Sequence, residues 1–301
     1  MAGRSRDFSP SSGIATEGVA AAASLSVETP SGKDVAYENF PVGSWLLPAS
    51  LRAHVAVFYG FARAADDIAD NPDLDPGEKL ARLDGFESAL LGKGCDGAQF
   101  AKSLAMRESL ARTGVVPDHC VNLLAAFKQD AIKPRYRDWS DLMGYCMLSA
   151  ASVGRYLLDL HGGSRDGYGP SDNLCMALQV INHLQDCQED YLNLDRVYLP
   201  LDWMGDAGAS VEDLDSPAST TALRTVFDHA IAATQALLVE ARVLPEGLAS
   251  RRLAMESAVI LKIAARLIGL LERRDPLAER IVLSKPGYLW CCLRGALSVW
   301  V

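Results

Sequence analysis

The chain has 301 residues, of which 49% are hydrophobic and 22% charged, a globular composition near the upper size of a single hydrophobic core. Its 29 basic and 38 acidic residues leave a net charge of −9, the wrong sign for a nucleic-acid binder or a polybasic membrane anchor. Seven cysteines, an odd number without a C-x-x-C pair, argue against a disulfide framework or a zinc site and for a reducing compartment.

The first segment, 1–34, is rich in Ala, Ser and Gly and lacks a hydrophobic signal core, so a disordered tail is expected ahead of one domain over 35–301. Leu51, Val55, Phe58, Ala62 and Ala65 recur at helical spacing and predict a helix over 50–70, closed by Asn71-Pro72. Leu80, Leu83, Phe86, Leu90 and Leu91 mark a second, ended by Gly92-Lys93-Gly94. Further helices are predicted over 99–112, 118–132 and 139–161, the last stopped by His161-Gly162-Gly163-Ser164. A long helix over 172–192 follows, then a loop with Pro200 and Pro217, helices over 218–243 and 248–273, and a short one over 287–300. No stretch alternates with period two between hairpin turns, so the predicted class is all-α, a single-domain helical bundle. No segment reaches the ~18–20 uninterrupted apolar residues of a membrane span; Tyr288 to Val301 is short and split by Arg294. The expected location is the cytoplasm, with peripheral membrane contact.

Two acidic clusters interrupt these apolar helices. In Arg63-Ala64-Ala65-Asp66-Asp67-Ile68-Ala69-Asp70, Asp66 and Asp70 share one helix face roughly 6 Å apart along the axis. Asp67 lies about 100° round, while Tyr59 and Arg63 extend the face. Asn182, Asp186 and Asp190 form an i, i+4, i+8 column flanked by Gln179 and Glu189, within a helix carrying Leu174, Met176, Leu178, Ile181 and Leu184. Carboxylates in apolar surroundings need counter-charge, since desolvating an unpaired one costs several kcal/mol. Arg63 offsets only one of them. The donors are all oxygens, and hard oxygen ligands suit Mg²⁺, which keeps waters and bridges to phosphate. Two carboxylate walls facing across a bundle would grip a diphosphate through Mg²⁺. A single D-D-x-x-D on a helix is more simply a solvated face; two such clusters, each inside an apolar helix, favour the metal. His183 sits beside the metal column rather than in it, and Tyr59 and Tyr145 read equally as core aromatics.

The sequence resembles the squalene/phytoene synthase family, the head-to-head trans-isoprenyl diphosphate synthases, over roughly 36–290. Four stretches carry the resemblance: Glu38-Asn39-Phe40-Pro41 through Leu46-Leu47-Pro48; Tyr59 through Asp70; Tyr145-Cys146 with Ser149-Ala150-Ala151-Ser152-Val153-Gly154; and Gln179 through Asp186 and Asp190 to Arg196-Val197-Tyr198-Leu199-Pro200. The resemblance implies a helical bundle around a deep apolar cavity, with Asp66, Asp67 and Asp70 holding Mg²⁺ from one side and Asn182, Asp186 and Asp190 from the other. It implies Arg63 and Arg196 on the diphosphate, and Tyr59, Tyr145 and Tyr198 near the reacting centre. Phe40 and Gln179 would line the cavity, and Ala150 and Gly154 would offer small surfaces to an isoprenoid chain. Arg280 and Lys285 lie where the family carries basic residues near the diphosphate.

The family's second motif usually reads N-[F/I/L]-L-R-D, whereas this chain has Asn182-His183-Leu184-Gln185-Asp186. Gln185 removes a positive charge near the diphosphate, which argues against the complete two-step reaction. N-H-L-Q-D-C, D-R-V-Y-L-P and the E-N-F-P-V opening resemble the hopanoid-pathway branch whose members act as hydroxysqualene synthases; Ala36 stands where relatives often carry His. In that route a sister enzyme makes presqualene diphosphate, this branch turns it into hydroxysqualene, and a flavoprotein reduces the product. Those two enzymes are the implied partners. The implied mechanism is Mg²⁺-dependent ionisation, rearrangement in a water-poor cavity and quenching by one water, which Tyr59, Tyr145, Tyr198 or His183 would position. NADPH is not expected. The rivals are a complete squalene or phytoene synthase, a class I terpene cyclase and a catalytically inactive scaffold. Leu289, Trp290, Leu293, Leu297 and Trp300 form either a membrane-docking face or one side of a helix packed on the core.

Overall fold

The computed structural model describes residues 48–299; the expectations for the N-terminal tail, Ala36, Phe40 and Trp300 fall outside them. Twelve helices are named here in chain order: α1 Ala49–Ala69, α2 Pro76–Leu90, α3 Ala101–Thr113, α4 Asp118–Asp130, α5 Trp139–Leu148, α6 Ala150–Leu160, α7 Tyr168–Leu194, α8 Leu201–Ala207, α9 Thr221–Ala241, α10 Leu244–Gly247, α11 Arg251–Leu271 and α12 Lys285–Leu297. Their starts follow local chemistry. The side chains of Asp75, Asp138, Thr220, Ser250 and Ser284 each accept the backbone N–H three residues on, and Pro76 and Pro286 sit in first turns where no N–H is missed.

Burial divides into two apolar clusters. One gathers α1, α2, α3, α4 and α6 around Phe58, Phe61, Phe86, Leu124 and Tyr156. The other gathers α5, α7, α9 and α11 around Ile181, Leu184, Phe227, Ile263 and Leu267. The first acidic cluster therefore rides on a helix of one cluster and the second on a helix of the other.

Three local features differ from the sequence expectation. The helix predicted over 139–161 breaks at Ser149, at φ −85° and ψ −85°. Its hydroxyl lies 3.0 Å from the Tyr145 carbonyl and 2.8 Å from the Gln179 amide oxygen, bonds that compete with the helical ladder. Second, a two-stranded parallel ladder, β1 (Arg135–Tyr136) with β2 (Val197–Pro200), occupies predicted loops. All four β2 residues are buried, so no alternation marked it. Third, Pro200 leads directly into α8, where a loop was expected.

Gly154 and Gly295 mark close helix contacts. A Cβ on Gly154 would lie 2.6 Å from Cys175 Sγ and 2.7 Å from Ser171 Oγ of α7, and one on Gly295 would lie 2.5 Å from Val259 Cα of α11. Gly154 thus serves the α6–α7 contact. On its inner side α12 packs on the bundle through Cys291 and Gly295.

Glu256 on α11 is buried with Oε2 lacking a hydrogen-bond partner, and burial pushes its carboxyl up to about 7. A carboxyl raised on folding destabilises the fold progressively as pH rises from its unfolded value of ~4.5 through 7. Glu256→Gln is therefore expected to raise Tm by several degrees at pH 8 and by nothing at pH 4, measured by differential scanning calorimetry across that range.

Candidate active site

The first acidic cluster sits at the C-terminal end of α1. Arg63 lies between two of its acids, with Nη1 3.3 Å from Asp66 Oδ2 and Nε 3.3 Å from Asp67 Oδ1. Asp67 is buried, and its Oδ1 has no hydrogen-bond partner. Tyr59 is half-buried one turn before Arg63. Asp70 takes a different partner: Arg196 Nη1 donates to its Oδ1 at 2.5 Å, while Nη2 donates to the Ala69 carbonyl at 3.0 Å. Arg196 therefore closes the end of α1 from the chain that follows α7. Lys79 of α2 joins this corner, held below its ordinary value by burial and by Arg196, against the opposing pull of Asp70.

The second cluster projects from α7. The Asp186 carboxyl is pushed up to about 6, first by the protein mass around it and then by Asp190 and Glu189, while His183 and Arg280 pull it back. Its side chain is nonetheless exposed, so it is crowded from the sides and open on one. Gln185 Nε2 donates to the carbonyl of Ile281, which ties the segment before α12 to α7 and brings Arg280 within electrostatic reach of Asp186. Gln185, which stands where the family carries an arginine, thereby anchors the segment carrying that basic group. Gln179 accepts from Ser149 at the α5–α6 break, beside Ala150.

Between the clusters lies a polar centre that the sequence did not mark. Asp130, at the C-terminus of α4, is buried and accepts Tyr145 OH on Oδ2 and Tyr198 OH on Oδ1, both at 2.9 Å. Arg196 Nε donates to its backbone carbonyl at 3.1 Å. Burial raises the Asp130 carboxyl to about 6, against Arg196 and the two tyrosine hydroxyls, which lower it. Burial and Asp130 raise both tyrosines well above the ordinary phenol value, so they are neutral donors. Tyr136 packs against both rings at 5.3 Å and 5.5 Å, and its buried hydroxyl has no hydrogen-bond partner. His183 stacks on Tyr198 at 3.6 Å and 13°. Its Nδ1 is 3.8 Å from Asp190 Oδ2, and its buried Nε2 has no partner.

The structure thus links Asp70, Arg196, Asp130, Tyr145, Tyr198, His183 and Asp190 in one chain of contacts running from α1 to α7. Among the described residues, no three acidic, His or Cys side chains are gathered closely enough to hold a metal ion. The donor chemistry still fits a hard cation. Asp67 Oδ1 is a buried carboxylate oxygen lacking a hydrogen bond, and Asp186 is crowded by Asp190 and Glu189, against which His183 and Arg280 pull.

The chain is similar to known proteins over most of its length. The squalene/phytoene synthase profile matches residues 34–286. A hydroxysqualene synthase from Rhodopseudomonas palustris is 43% identical over 271 residues, 90% of this chain and 91% of that protein. One from Sinorhizobium fredii is 43% identical over 82% of this chain and 84% of that protein. Among solved structures, squalene synthase HpnC from Alicyclobacillus acidocaldarius superposes with a TM-score of 0.70 at 31% identity, over 79% of this chain and 89% of that one. On the match across nearly the whole described chain, with both acidic helices in place, the protein belongs to the squalene/phytoene synthase family.

Proposed function

We propose that the protein converts presqualene diphosphate and water to hydroxysqualene and diphosphate, using Mg²⁺. The observation that carries this reading is the 43% identity, over 90% of the chain, to a hydroxysqualene synthase. Asp66, Asp67 and Asp70 on α1 and Asn182, Asp186 and Asp190 on α7 are the residues that would hold Mg²⁺. The ion supplies charge neutralisation of the departing diphosphate when bound.

The chain's own groups account for the remaining chemistry. The carbon–oxygen bond to diphosphate breaks with its electron pair on oxygen, and Arg280 and Lys79, beside the two acidic clusters, favour that negative charge. Arg63 and Arg196 are paired with Asp66, Asp67 and Asp70, and each would reach the diphosphate by exchanging a carboxylate for it. Among Tyr136, Tyr145 and Tyr198, Tyr198 is stacked by His183 and Tyr136 is covered by Lys133, so the ring of Tyr145 is the one that would stabilise the allylic and cyclopropyl cations. The raised proton affinity of Tyr145 and Tyr198 keeps them neutral, so neither captures the cation as a phenolate.

Water must then bond to carbon and lose a proton. The hydroxyls of Tyr145 and Tyr198 are committed to Asp130, which narrows the four sequence candidates. Nε2 of His183 is buried without a partner, and in the tautomer protonated on Nδ1 it accepts the proton of the attacking water.

The test is a product assay on purified protein. With presqualene diphosphate and Mg²⁺, hydroxysqualene is expected with or without NADPH, and farnesyl diphosphate alone is expected to give no product. Squalene formed only with NADPH, or any C30 product from farnesyl diphosphate alone, would establish a complete head-to-head synthase instead. Extraction and mass spectrometry separate these outcomes.

A further inference from the structure

We propose that the outer face of α12 docks the protein on an anionic lipid surface. The helix has two apolar sides. Cys291 and Gly295 face inward, and the near-contact of Gly295 with the Val259 backbone fixes α12 rigidly on α11. On the opposite side Leu289, Trp290, Leu293 and Leu297 are 69%, 60%, 53% and 55% exposed. At 100° per residue these four fall within an arc of about 100°, a continuous stripe rather than scattered apolar residues.

The charge around the stripe identifies what covers it. Arg294 borders it, its guanidinium 5.5 Å from the Trp290 ring centroid. Lys262 and Arg266 of α11 are exposed and electrostatically coupled to Cys291, on the inner side of α12. Among the described residues neither has a carboxylate partner. From Arg251 to the C-terminus nine Lys and Arg stand against four Asp and Glu, a local charge of +5 in a chain of net charge −9. The exposed apolar stripe thus belongs to a basic stretch of an otherwise acidic chain. A Trp and Leu stripe bordered by Lys and Arg is the composition of a helix lying in a lipid headgroup region. An anionic surface attracts Arg294, Lys262 and Arg266 and so favours contact through α12. A protein partner is the weaker fit, because lysine is depleted at protein interfaces. No helix among the described residues is long and apolar enough to cross a membrane, so contact through α12 is peripheral. This assignment rests on exposure and charge and holds whichever reaction the active site performs.

The test is co-sedimentation of the full-length protein with vesicles of phosphatidylglycerol and phosphatidylcholine, against vesicles of phosphatidylcholine alone. Binding is expected to the mixed vesicles and to fall steeply with added salt. The triple variant Leu289→Ser, Trp290→Ser, Leu293→Ser and the double variant Lys262→Glu, Arg266→Glu are each expected to lower partitioning at least tenfold. Both change exposed side chains only, and a matching Tm verifies that the fold is intact. Three results would overturn the assignment: protein left in the supernatant with mixed vesicles, a triple variant that binds as well as wild type, or a dimer that the triple variant dissociates. The last would give the stripe to a second copy of the chain.

Discussion

Asp130→Asn is expected to lower product formation from presqualene diphosphate by at least 10²-fold while the protein still folds, and Asp130→Ala is expected to cost about 3–5 kcal/mol of stability as well. The carboxylate is the shared acceptor of two buried hydroxyls, Tyr145 and Tyr198, and lies beside Arg196, which in turn holds Asp70. Alanine leaves both hydroxyls without an acceptor, at about 1–3 kcal/mol each. Asparagine keeps one acceptor and offers the second tyrosine a donor, so the rings stay near their places while the charge that fixes their proton orientation is gone. Networks of this kind act as units, so the loss exceeds that of either tyrosine hydroxyl removed singly.

The pH dependence separates this role from a merely structural one. Asp130 titrates near 6, raised by burial and by Asp70 and lowered by Arg196, Tyr145 and Tyr198. Its folded value lies above the unfolded value of ~3.9, so its contribution to stability is fullest below that pH and is lost as pH rises through 6. Activity runs the other way, because the ionised form is the one that accepts from both tyrosines. Wild-type kcat is therefore expected to rise through about pH 6 while the stability difference between Asp130→Asn and wild type shifts in favour of the variant. An unchanged kcat–pH profile in Asp130→Asn would remove Asp130 from the mechanism and leave it a packing residue.

The acidic columns were legible because helical periodicity is local: residues four apart share a face whatever the rest of the chain does. The same holds for the nine helices predicted from apolar spacing, whose observed spans differ mainly at the ends. Asp130 was not legible. It is one acid at the end of an amphipathic helix, and its partners lie 15 and 68 residues away. Lys79 is equally plain in sequence and gains meaning only when α2 meets the end of α1. Ser149 illustrates another limit. Tyr145 to Gly154 has uninterrupted helical spacing, and the break depends on a hydroxyl reaching Gln179, 30 residues on. Gln185 departs from the family motif in the sequence, but its hydrogen bond to Ile281 crosses 96 residues, so only the fold shows that it anchors the Arg280 segment.

His183→Phe is expected to change what the enzyme makes more than how fast it consumes substrate. Phenylalanine preserves the ring stacked on Tyr198 at 3.6 Å and removes only the nitrogens, so the apolar wall remains. Arg280, Lys79 and the first acidic cluster are untouched, and the second loses only the 3.8 Å contact of His183 with Asp190 and its pull on Asp186, so consumption of presqualene diphosphate is expected to stay within tenfold of wild type. The cation that forms then lacks the acceptor at Nε2 that deprotonates the attacking water. In a site that excludes bulk water the competing outcome is proton loss from carbon, which yields C30 hydrocarbons in place of the alcohol. The alcohol share of total product is expected to fall below half, while His183→Gln, which restores a polar group near the same position, recovers part of it. Product ratio under single-turnover conditions is the decisive readout, because it is independent of substrate affinity and product release. An unchanged alcohol share in His183→Phe would pass the water to Tyr59, the remaining sequence candidate whose hydroxyl is not bonded to Asp130.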